Sequence, residues 1–397
     1  MRTFTITCGL LILILACGCG QRSANMVDRH QYWIGYTNMG TCDDPRGQYY
    51  NWRTRRATIV RADGTDRQEV AAQLIADECT WTAFKSWWPD GRVAFMLCRE
   101  TPEVFARERA QKTFLVDDVL FDICVADLKT GEVLNLTAVE RVSTYNNGGI
   151  PWPQDPTKVI FAPIIKGVQQ PYVMDADGRN KRSLASGKEG FTYGLNISPD
   201  GRRIAYHKEY QIHVAEKDGS NPRAVDTDPA HKFQFCPTWS PDSQWLLFLA
   251  GEDSFHACLY LVRPDGTGLR MLADRGGYIG RYDPLKYPDF HSGHSDLPVW
   301  SSTSGWVYYT AKVGEAVELM RVSIDGQVQQ LTRSQPGVGH FHPSVSSDGR
   351  LVAFGSTRDG AAAQYVANAD GSDARPITVP TPGQAAMFSA WKAVETP

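Results

Sequence analysis

Asn196-Ile197-Ser198-Pro199-Asp200-Gly201, then Arg203-Ile204-Ala205-Tyr206-His207 and, a few residues later, Asp218-Gly219, is the stretch on which the fold turns. Pro presets φ for a tight turn, and Asp and Gly tolerate the torsions that complete it. The segment between the two turns has the period of a half-buried strand. This is one unit of a repeat. The first turn recurs as Trp88-Pro89-Asp90-Gly91, Ser240-Pro241-Asp242-Ser243, Ser302-Thr303-Ser304-Gly305 and Ser346-Ser347-Asp348-Gly349, with Trp152-Pro153-Gln154-Asp155-Pro156 as a degenerate copy. The second recurs seven times, at Gly64, Gly131, Gly178, Gly219, Gly266, Gly326 and Gly371. A short strand carrying Leu or Ile closes units at Leu184, Leu272, Leu331 and Ile377.

Four short antiparallel strands repeating every roughly 40 to 60 residues match a propeller blade, whose faces are buried only by stacking neighbours. Seven turns predict seven blades, an all-β fold. The two chain ends agree. Tyr32 to Thr37 reads as a second strand lacking its first, and 385–393, with Trp391, reads as a lone first strand. Pairing them closes the ring and leaves no open sheet edge at the seam. The propeller is expected over 31–393. Two insertions depart from the minimal blade: 99–120, with a charged, helix-favouring run after Thr101-Pro102-Glu103, and 275–296, rich in Gly, Tyr, Asp and His.

Before the ring, Met1-Arg2, an apolar run from Gly9 to Ala16 and Cys17-Gly18-Cys19-Gly20 read as a signal peptide over 1–19, followed by a tether over 20–30. The run is shorter than the roughly 20 residues of a spanning helix. Leu15-Ala16-Cys17-Gly18-Cys19 resembles a bacterial lipobox, which implies a lipid anchor at Cys17 or Cys19 and an exported, periplasmic or outer-membrane location. An ordinary cleaved secretory signal is the alternative. Six cysteines follow, at 42, 79, 98, 124, 236 and 258. Disulfides are permitted in that compartment, and Cys98 and Cys124 fall on neighbouring strands. A net charge of -3 excludes the electrostatic footprint of a nucleic-acid binder.

In a propeller both turn signatures lie on one regular face, while second-to-third hairpins and inter-blade connections lie on the other. Most of the nine histidines map to the irregular face. His340-Phe341-His342 begins the innermost strand of the last blade, and His291 and His294 precede the innermost strand of the blade before it. Alternate residues of an extended strand point the same way, so His340 and His342 can offer two imidazoles to one divalent cation. The same histidines equally suit hydrogen-bonded residues around the channel mouth. Cys236, His256 and Cys258 suggest packing more than a second metal site.

The Trp/Ser-Pro-Asp-Gly turn paired with a later Asp-Gly turn is similar to the TolB-like propeller repeats, over almost the whole mature chain. The His-x-His pair further resembles the propeller polysaccharide lyases, oligogalacturonate lyase and more loosely ulvan lyase. That resemblance implies a divalent ion (manganese, calcium or zinc) on His340, His342 and His291, with His294 nearby and Gln335 as the candidate for a further glutamine ligand. It implies β-elimination on a uronic acid: a cation or arginine neutralises the carboxylate while a base removes the C5 proton. His207, Tyr193 and Tyr210 are the candidate bases, and Arg281 the carboxylate clamp. Tyr145, Tyr278, Tyr282 and Tyr287 are candidates to stack on sugar rings. A metal-assisted lyase acting on acidic oligosaccharides is therefore the leading expectation, and a non-catalytic propeller binding a glycan or an envelope protein is the alternative. Glycoside hydrolysis ranks last, because Asp283, Asp289 and Asp296 crowd one loop without an evident partner carboxylate.

Overall fold

The computed structural model describes residues 27–41, 51–111, 119–184, 192–253, 256–277, 296–303 and 305–394. The signal peptide, most of the tether, and Arg281, His291 and His294 lie outside them. Among the described residues, no helix is long and apolar enough to cross a membrane.

Seven antiparallel sheets form the blades of the expected propeller. Six have four strands, and the third blade adds a short hairpin strand, Val168–Gln169, beside its second strand. The ring closes as the chain ends predict: Gln384–Trp391 is the innermost strand of blade 1 and pairs antiparallel with Trp33–Gly40. The helix-favouring run is a helix over Pro102–Gln111.

Each blade-to-blade interface carries its own apolar cluster. Ala205, Ile212 and Val214 of blade 4 meet Trp239, Leu246 and Phe248 of blade 5, and Ile34 and Val60 of blade 1 meet Leu351, Ala353 and Val366 of blade 7. Both faces of the central strands are covered by neighbours, so Leu351–Ser356 is buried at every position rather than at alternate ones. Pre-turn tryptophans lie in these interfaces and donate across them, Trp88 Nε1 to Gly149 O at 3.2 Å and Trp152 Nε1 to Gly201 O at 3.1 Å.

The turn chemistry repeats with the sequence signature. Ser198, Ser240 and Ser346 each donate to the turn Asp two residues on, and each accepts from the backbone N–H five residues on. In blade 6 that role falls to Ser301, whose Oγ accepts from Trp306 N at 3.1 Å, so the turn starts one residue before the expected Ser302. A second recurring device closes the outer edge. Thr137, Thr332 and Thr378, each just after the closing apolar residue, accept a backbone N–H of the third strand. In blades 1 and 4, where no Thr stands there, the next blade supplies the acceptor: Thr82 Oγ1 takes Ala57 N, and Gln234 Oε1 takes Ile212 N.

Cys98 and Cys124 are both unbridged. The ladder explains this, since Cys98 stands opposite Phe121 and Cys124 opposite Phe95, which sends the two thiols to opposite faces of the sheet.

Candidate functional site at the irregular face

On the second-to-third hairpin of blade 4, Lys208 pairs with Gln211 and the two residues between them, Glu209 and Tyr210, both take left-handed φ, 49° and 64°. This is the pattern of a two-residue I′ turn. It holds Tyr210 43% exposed, edge-on to Phe233 at 4.8 Å and to Phe235 at 6.0 Å. His207 lies behind this aromatic group. Its ring is fully buried, 5.4 Å from Tyr210 and 5.7 Å from Phe235. A general base must come within hydrogen-bonding reach of the proton it takes, and of these two candidates only Tyr210 meets solvent. Tyr193 pairs with His207 across the ladder, and only its backbone is described.

In blade 7 the strand His340–Val345 does not alternate simply. The register jumps between Phe341 and Ser344, and His342 takes φ 50°. This β-bulge re-aims the side chain, and the two imidazoles engage different neighbours. His340 is fully buried against Phe354, with Nε2 2.9 Å from Ser334 Oγ and 3.6 Å from Glu318 Oε2. Burial, reinforced by Arg358, pushes it down to about 3, so the ring is neutral. His342 lies on the other side, its ring 4.2 Å from that of Phe388 on the inner strand of blade 1. Gln335 is exposed in the preceding loop.

The bulge is pinned from outside the blade. Asp296, at the end of the 275–296 insertion, accepts from His342 N at 2.7 Å and from Thr310 Oγ1, with the Arg275 guanidinium 3.9 Å away. All three side chains are buried. Arg275 and Asp296, the two ends of the insertion, are thereby fastened to the strand that bears the His-x-His pair.

A divalent ion needs several such ligands converging on one point. His340 has one feature of a ligand: its Nδ1 is buried and has no hydrogen-bond partner, while Nε2 is oriented by Ser334 and Glu318. Among the described residues, however, no group of three His, Cys, Asp or Glu side chains stands together in a way that holds a metal. His256 instead pairs with Asp253, and Cys258 Sγ lies 3.7 Å from Asp274, apart from any joint cluster with Cys236. The described part of the site therefore fits one metal ligand, not a set.

Two groups escaped sequence reading. Asp226, fully buried, holds His231 Nδ1 at 2.7 Å in the connection from blade 4 to blade 5. Lys85 sits at the bulge of the blade 2 inner strand and donates to Asn147 Oδ1 at 2.7 Å. A lysine in the otherwise apolar and small run Trp81 to Trp87 was the available signal.

No protein-family profile matches the chain. By fold it is similar to the β-propeller domain of the Trilobed protease from Pyrococcus furiosus, with a TM-score of 0.52 and 15% identity over 88% of this chain and 95% of that one. It is also similar to oligogalacturonate lyase from Vibrio parahaemolyticus (TM-score 0.49, 18% identity, 65% and 72% of the two chains) and to TolB from Acinetobacter baumannii (0.46, 12%, 79% and 82%). At these identities the likenesses concern the propeller fold and leave the activity to the residues themselves.

Proposed function

We propose that this chain is an exported binding propeller that takes an acidic oligosaccharide, or failing that an envelope protein, on its irregular face around Tyr210. One observation carries the reading: the I′ hairpin holds Tyr210 exposed against Phe233 and Phe235, while the nearby histidine is buried in packing. Rigid aromatic side chains with one polar end are the groups that most often dominate a binding surface, and a phenol face suits the apolar side of a sugar ring. Export and lipid anchoring at Cys17 or Cys19 belong to this proposal and rest on the N-terminal sequence. Tyr210→Ala is expected to weaken oligogalacturonide binding by about 1–2 kcal/mol in titration calorimetry. Unchanged binding in that variant removes Tyr210 from the surface, and no binding of any oligosaccharide moves the reading to a protein partner.

Uronate β-elimination is the second reading, favoured by the Asp296 bond to His342, which ties the insertion carrying Arg281, His291 and His294 to the last blade. In that reading Tyr210 is the base that meets solvent and takes the C5 proton. New ultraviolet absorbance from unsaturated products, absent in Tyr210→Phe, distinguishes lyase from binder.

A further inference from the structure

The inner strands of blades 2, 3 and 4, with Ile160 to Ala162 and Gln169 of blade 3, line a half-open cavity of about 230 Å³ that contains neither Tyr210 nor the last-blade histidines. By liquid volume this is room for about seven waters. One wall is polar. Lys85 reaches in from its bulge, where Phe84 pairs with Phe95 and Ser86 with Ala94, leaving Lys85 as the extra residue. Its ammonium spends one donor on Asn147 Oδ1 and keeps two. Beside it, Ser86 Oγ is buried and has no hydrogen-bond partner. Gln169, also in the lining, is almost fully buried and donates to Ala162 O. The apolar part of the lining includes Ile150, which is partly exposed, and Phe161.

No carboxylate lines this cavity or pairs with Lys85 among the described residues. Burial, with the neighbouring Arg55 adding to it, pushes the ammonium down to about 8. A half-buried cation with no counter-ion among the described residues is costly, and an unsatisfied hydroxyl beside it adds to the cost.

We propose that this cavity binds the carboxylate of a small organic monoanion, which accepts from Lys85 Nζ and Ser86 Oγ while its carbon stem lies against Ile150 and Phe161. One ammonium in the lining, with Arg55 behind it and not in contact with the cavity, matches a monoanion rather than the fork-bound dianion of a phosphate. The apolar wall requires a carbon stem. The site is independent of the Tyr210 surface, and its variants leave that surface intact.

The test uses the full mature chain with butyrate and benzoate as probes, inorganic phosphate and benzyl alcohol as controls, followed by titration and thermal unfolding. Saturable binding of a carboxylate probe is expected, with a rise in the unfolding midpoint that neither control produces. Lys85→Met, which keeps the apolar stem, should weaken binding at least about tenfold, and Ser86→Ala should weaken it less. The ligand-free Lys85→Met protein should unfold at the same temperature as wild type or higher, because it no longer buries the charge. Lys158→Met, at an exposed pair with Asp175 on the regular face, should bind like wild type. Absence of saturable binding by both carboxylates, equal or tighter binding of phosphate, or full binding in Lys85→Met overturns the proposal. A ligand-free Lys85→Met that is markedly less stable overturns it too, since that outcome assigns the lysine to structure.

Discussion

His340 carries a pH dependence that its burial dictates. The unfolded chain takes a proton on this ring near 6.5, whereas the folded protein holds it neutral down to about 3. Between those values the unfolded state binds more protons, so stability is full above about 6.5 and falls as the pH drops toward 3, with a slope approaching about 1.4 kcal/mol per pH unit from this group. His340→Gln removes the titration. Urea midpoints at pH 7.5 and 5 should therefore converge more in the variant than in wild type, and an equal loss in both proteins would exclude His340 as a source of acid lability. The His-x-His spacing was legible, but the direction of the second ring was not. The bulge at His342 is a backbone event, forced by an extra residue in one strand and held by a carboxylate 46 positions earlier.

Among the elements, the Asp-Gly turns make the clearest case of sequence dictating geometry. Gly219 takes φ 88°, and a Cβ there meets Leu184 O of the preceding blade at 1.7 Å. Gly326 takes φ 89° with nothing within 4 Å. The same glycine signature thus answers to two causes, torsion alone at Gly326 and torsion plus close approach at Gly219. Gly326→Ala is expected to cost about 1–2 kcal/mol, and Gly219→Ala about 3 kcal/mol or more, because backbone cannot move aside as a side chain can. Calorimetric unfolding of both variants measures the difference, and equal midpoints would mean that the blade contact at Gly219 yields freely. Turn positions could be read because Pro, Asp and Gly act locally. The one-residue offset at Ser301 could not, since Ser-Ser-Thr-Ser offers several equivalent starts and the hydrogen bond to Trp306 decides between them. The Cys98 and Cys124 pairing failed for a similar reason: neighbouring strands were evident, but their register was not.

For the whole molecule, closure of the ring is the decisive event. Trp391 packs edge-on to Tyr32 at 5.9 Å and donates to Ser344 O at 3.0 Å, joining blades 1 and 7 through the last strand. Removing residues 384–394 uncovers the cluster shared by those blades and opens the inner edge of Trp33–Gly40. Such a truncation is expected to lose the single cooperative thermal transition of the full chain, and a synthetic peptide of the missing strand should restore part of it. Retention of one sharp transition at the original midpoint would show that the other six interfaces suffice.

Seven blades, their turns and the exchange of strands between the two ends were determined by local residues, because torsional preference and two-residue periodicity act over a few positions and simply repeat. Tertiary structure alone decided which histidines are buried, which imidazoles part company at a bulge, and that Lys85 faces a cavity with no acid beside it among the described residues. Those properties depend on neighbours contributed by other blades, and desolvation is the sum of what all of them exclude.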